Sequence, residues 1–137
     1  NHADATVEDA LGRYGMHLGT AFQIIDDVLD YSGSSEVIGK NVGDDLAEGK
    51  PTLPLLFAMK HGTAEESAII RNAILQGDES NFAQILSIVQ RTGALEHAHK
   101  QAQAEANLAC NAIAQLPDSQ YKAALLELPA FAVSRNF

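Results

Sequence analysis

Val7, Leu11, Tyr14, Leu18, Phe22, Ile25 and Leu29 follow one another at steps of four and three residues. No other feature constrains the fold of this chain as strongly. At about 100° of rotation per residue these side chains make one continuous apolar stripe along a helix. The spacing predicts a first helix from about Thr6, read as its N-cap, to about Asp30. A loop rich in Gly and Ser, "YSGSSEVIGKNVGDDLAEGKP", follows it.

Helical punctuation continues downstream. Pro51 is expected to open a second helix and Gly62 to end it with a left-handed cap. Thr63 and Glu66 have the spacing of a capping box, for a helix through about Gln76, before Gly77. Further helices are expected from about Ser80 to Thr92, with Gly93 as the stop, and from about Ala94 to Leu116, ended by Pro117. Ser119 to Leu128 forms a shorter one, and Pro129 sets off the tail "AFAVSRNF". No stretch alternates polar and apolar residues between hairpin turns, and no repeat occurs. The expected class is all-α.

Composition narrows the function. With 137 residues, 46% of them hydrophobic, the chain fits one domain with a modest core. Its 18 acids against 9 bases give a net charge of −9, which argues against an electrostatic grip on nucleic acid or anionic lipid and suits a partner carrying metal cations. There is no secretion signal and no apolar run of about eighteen residues that could span a bilayer, so a soluble, cytoplasmic chain is expected. The single Cys110 has no disulfide or zinc partner and is expected to be a small buried hydrophobe.

Against the apolar stripe stand three acids in "FQIIDDVLDY". Asp26 and Asp30 lie one turn apart on its flank, continuing a groove of Gly12, Gly15, Gly19 and Gln23, and Asp27 lies about 100° further round, more toward solvent. Like charges at i and i+4 repel, and acids at a helix C-terminus oppose its dipole. A divalent cation reverses both effects, and Mg²⁺ takes one or two carboxylates, several waters and phosphate oxygens. A solvated acidic helix end is the bland alternative. The loop shifts the balance toward a ligand site, because Lys40 and Lys50 each follow a glycine among Glu36, Asp44, Asp45 and Glu48, which suits a backbone that closes over an anion.

"GKPT" is not a nucleotide-binding P-loop: five residues separate Gly43 from Gly49, and Pro51 stands where Ser or Thr is required. His97 and His99 face different sides of their helix, His17 lies across the stripe from the aspartates, and His2 and His61 fall near ends, so none is expected to be catalytic. Tyr14, Phe57 and Phe82 are expected in the core. No serine or cysteine nucleophile is signalled.

"GTAFQIIDDVLDY" followed by "GKNVGDDLAEGKPTLPLL" resembles the second aspartate-rich region and adjoining loop of the trans-polyprenyl diphosphate synthases, enzymes of the isoprenoid-synthase fold. The resemblance extends over essentially the whole chain and is nearest to the bacterial octaprenyl-forming members. It implies the C-terminal part of that helical bundle, with residues 1–137 as the C-terminal portion of a single synthase domain. The first aspartate motif and the basic residues for isopentenyl diphosphate are not in this sequence.

The implied reaction is Mg²⁺-dependent elongation of an allylic diphosphate with isopentenyl diphosphate to a long all-trans product, octaprenyl diphosphate for quinone side chains. By motif position, Asp26 and Asp30 would ligate Mg²⁺, Asp27 would serve directly or through water, and Gln23, Lys40 and Lys50 would contact the allylic diphosphate. Phe22 would flank the hydrocarbon channel. The catalytic set is thus Asp26, Asp27, Asp30 and Lys40. This portion alone is expected to be inactive and to self-associate, as a homodimer or higher, through apolar faces left uncovered. Two other classes remain open: a non-catalytic regulatory subunit on the same helices, and a terpene cyclase.

Overall fold

A computed structural model describes residues 5–32, 44–77 and 80–134. The described elements are helices: α1 (Ala5–Ser32), α2 (Asp44–Ala47), α3 (Leu53–His61), α4 (Ala64–Gln76), α5 (Phe82–Arg91), α6 (Ala94–Ala112) and α7 (Gln120–Val133). The all-α expectation therefore holds. Described residues up to Ile25 and from Lys100 onward form one compact unit, and those from Asp26 to His99 form another.

In the first unit, Tyr14 of α1 is buried with Ala109 and Ile113, and Leu18, Ala112, Leu116 and Leu125 pack round them. Tyr14 and Ile25 fit the predicted stripe, but Leu11 is 42% exposed. Thr6 lies inside α1 and not at its cap. Helix α6 stops at Ala112, four residues early, and Lys122 serves the turn that follows it. The Lys122 ammonium donates to the carbonyls of Ala114 at 2.9 Å and Leu116 at 2.8 Å, both in the segment after the helix.

Pro129 corrects another expectation, because it lies buried inside α7 and does not end it. A proline cannot donate to the carbonyl four residues back, here that of Leu125, and the Tyr14 hydroxyl donates to it instead. Cys110 is half-buried, with its sulfur 3.8 Å from the Leu126 carbonyl. His17 Nδ1 lies 2.6 Å from Glu105 Oε2, a pairing not legible in sequence because 88 residues separate them.

In the second unit the core gathers Tyr31, Leu46, Leu55, Ile70, Ile85 and Val89. Helices α3, α4 and α5 pack on one another and α2 packs on α4. The Thr63–Glu66 capping box forms as expected, with N–H···O distances of 2.8 and 3.1 Å. Gly62 is not left-handed: at φ −83°, ψ 178° it is extended, since the chain passes straight into the extended N-cap Thr63. Helix α3 starts after Thr52 with Pro54 in its first turn, so Pro51 lies before the helix. Phe57 packs against the core while its ring stacks between His61 and His97, each 4.2 Å away between centroids.

Helix α2 escaped the sequence reading, being four residues long within the Gly-rich loop. It ends in a Schellman motif. Gly49 is left-handed at φ 73°, its amide donates to the Leu46 carbonyl, and the Lys50 amide donates to the Asp45 carbonyl, both at 2.9 Å. A β-carbon on Gly49 would fall 2.7 Å from the Ile74 carbonyl oxygen, and one on Gly77 would fall 2.9 Å from that of Ala47. The two glycines let α2 and the end of α4 approach backbone to backbone.

Candidate active site

The last two turns of α1 bury nearly every side chain. Val28, Leu29, Asp30 and Tyr31 follow one another in the interior, so this helix end is covered all round and not on one stripe. Asp30 is 0% and Asp27 9% exposed. Asp26 is half-buried. The expectation that Asp27 faces solvent is therefore reversed. Of the predicted substrate contacts, Phe22 is half-buried and Gln23 exposed, while Lys40 lies outside the described residues.

Asp45, 2% exposed, was not singled out in the sequence. Its main-chain amide donates to Asp30 Oδ2 at 3.3 Å, and its own Oδ1 lies 3.5 Å from the Lys50 ammonium. Glu48 approaches the same ammonium at 3.1 Å from the solvent side. Together Glu48 first, then Asp45, hold the Lys50 pKa above its ordinary value. The C-terminal motif of α2 sets the chain direction at residue 50.

Tyr31 records the charge gathered here. Burial first, then the carboxylates of Asp30, Asp45 and Asp27, push its phenol well above the usual tyrosine range, with only the Thr52 side chain acting in the opposite direction. Thr52 is the N-cap of α3, but its hydroxyl makes no cap bond. Pro54 at the second helical position has no amide to offer it. The Tyr31 ring stacks on Phe82 at 5.9 Å, which fixes it in the core.

The site therefore presents oxygen donors at a helix end, with Asp45 linking Asp30 to Lys50, a donor set suited to a hard divalent cation and a phosphate-bearing ligand. Among the described residues no three His, Cys, Asp or Glu side chains gather as an all-protein metal cage. A magnesium site of the kind completed by waters and phosphate oxygens needs only one or two carboxylates, and the residues present fit it. The described histidines do not form a metal group either.

Residues 1–91 match the family described as polyprenyl synthetase. The octaprenyl diphosphate synthase of Haemophilus influenzae is 53% identical over 131 residues, covering 95% of this chain and 40% of that protein. Its Escherichia coli counterpart is 49% identical over 130 residues, covering 94% and 40%. A polyprenyl synthase from Caulobacter crescentus, solved in complex with calcium and isoprenyl diphosphate, superposes with a TM-score of 0.88 at 41% identity, covering 97% of this chain and 41% of that one. Heptaprenyl diphosphate synthase from Staphylococcus aureus gives a TM-score of 0.88 at 31% identity, covering 99% and 42%. The chain thus spans about two fifths of the length of these relatives.

Proposed function

The chain belongs to the polyprenyl synthetase family, and from that premise we propose that it forms the diphosphate-ionising part of a trans-prenyltransferase. The substrates of the whole enzyme are an allylic diphosphate and isopentenyl diphosphate, and the product is a long polyprenyl diphosphate. Similarity to octaprenyl synthases at 53% and 49% identity supports an octaprenyl product. The motif order supports assignment to the C-terminal portion of the synthase domain.

The observation that carries this reading is the burial of Asp27 and Asp30 at the end of α1, with Asp45 joining its amide to the Asp30 carboxylate and its own carboxylate to Lys50. Asp26 and Asp30 would hold Mg²⁺, with Asp27 serving directly or through water. That ion, when bound, supplies electrostatic stabilisation of the charge on the departing diphosphate. Lys50 and Lys40 bind the allylic diphosphate as point charges, and Gln23 donates to it from its amide. Phe22 would flank the hydrocarbon tail. Burial of the carboxylates keeps bulk water from the charges and strengthens their interactions.

No described helix is long and apolar enough to cross a membrane. Cytoplasmic residence and a homodimer belong to the same proposal. The deciding experiment incubates the intact synthase with allylic diphosphate, labelled isopentenyl diphosphate and magnesium, and resolves the products by length. Labelled linear polyprenyl diphosphate is expected. A cyclised hydrocarbon, or no incorporation, would refute the assignment.

A further inference from the structure

Lys50 stands between two acids of different kind. The Glu48 side chain is 60% exposed, and the Asp45 side chain 3%. An ion pair with a half-exposed lysine adds little to stability, and burying a carboxylate opposes folding unless its interactions compensate. The Lys50 ion pair does not by itself account for an acid at position 45. Its geometry does, because the same residue touches both halves of the site: carboxylate to Lys50 at 3.5 Å, main-chain amide to Asp30 Oδ2 at 3.3 Å.

We propose that Asp45 is a positioning residue of the diphosphate site, one that aims the Lys50 ammonium and steadies the Asp30 carboxylate from a single point in the chain. This rests on the reading of Lys50 and Asp30 given under the proposed function. The backbone around Asp45 is fixed independently of the ligand. The Lys50 amide bonds back to the Asp45 carbonyl at 2.9 Å, and Gly49 and Gly77 seat α2 against the end of α4. With both chain directions set, the Asp45 carboxylate has a fixed place from which to hold a long side chain. Glu48 reaches the same ammonium at 3.1 Å, but its side chain is 60% exposed, where an ion pair holds a geometry only weakly.

The test is calorimetric titration of inorganic pyrophosphate, in the presence of Mg²⁺, into the intact synthase and its Asp45→Asn, Lys50→Gln, Glu48→Gln and Asp45→Asn/Lys50→Gln variants. Asp45→Asn keeps the main-chain amide and removes only the charge. It is expected to weaken pyrophosphate binding about tenfold, the size of loss typical for groups that orient a ligating residue. Because Asp45 acts through Lys50, the double variant should bind within about twofold of Lys50→Gln alone, and Glu48→Gln should bind like the wild type. Losses that multiply in the double variant would overturn the proposal, as would Asp45→Asn binding like the wild type. A tenfold loss in the surface variant Glu48→Gln would give the role to Glu48 and likewise overturn the proposal. Wild-type protein that takes up no pyrophosphate with magnesium would bring down the functional reading itself, whereas normal wild-type uptake with multiplying losses removes only the role of Asp45.

Discussion

The Tyr14 hydroxyl donates to the Leu125 carbonyl, the group that Pro129 leaves without its helical donor four residues on. A side chain from α1 thus completes the hydrogen bonding of α7, which explains how a proline is accommodated inside that helix. Tyr14→Phe removes the donor and should destabilise the intact protein by about 1 kcal/mol. In a Pro129→Ala background the restored amide can serve Leu125, and the same replacement should lose much less. Urea midpoints of the four proteins measure this, and equal losses in both backgrounds would rule out the compensation.

Asp26→Ala in the intact synthase should lower kcat by on the order of a hundredfold or more, the scale seen when a charge-stabilising group is removed from an active site. Helicity should be unchanged, since Asp26 is half-buried on a long helix and alanine is the better helix former. Steady-state rates and far-ultraviolet circular dichroism give the two readouts. A rate near that of the wild type would exclude Asp26 from the cation site.

Gly49 has a left-handed backbone and lies against the Ile74 carbonyl, so a methyl group there meets strain in conformation and in space. Gly49→Ala should destabilise by about 1 to 3 kcal/mol and also weaken pyrophosphate binding, because the same turn aims Lys50. Thermal unfolding together with pyrophosphate titration checks both effects. An unaltered melting temperature would mean that α2 and α4 do not approach as closely as described.

Glu66 is held below the usual glutamate range, first by the Thr63 amide and then by Arg91. A carboxylate with a depressed folded pKa contributes stability that is present above its unfolded value and is lost as pH falls through the folded one. Stability should therefore decline on acidification below the ordinary glutamate range, and Glu66→Gln should flatten that part of the curve. Unfolding midpoints across the acid range test the sign, and an identical acid limb in the variant would contradict it.

Local signals were legible in the sequence. The capping box at Thr63, the glycine stop at Gly77 and the α1 periodicity all depend on residues a few positions apart, and each corresponds to an observed feature. What depended on distant partners was not. Pro129 reads as a helix end until Tyr14 is known to serve Leu125, and Asp27 reads as solvent-facing until the rest of its unit covers the end of α1. Asp45 carried no signal beyond being one more acid in an acidic loop, because its importance lies in what α2 and the Gly49 turn bring to it. Lys40, equally prominent in the motif, lies outside the described residues, and its place in the site remains a proposal.

The most direct measurement is the heat of pyrophosphate binding to the intact synthase with and without magnesium, for the wild type and for Asp26→Asn/Asp30→Asn. Strong uptake by the wild type only when magnesium is present, abolished in the double variant, is the predicted result. Magnesium-independent uptake, or uptake that survives neutralisation of both aspartates, would contradict a cation-bridged diphosphate at the end of α1.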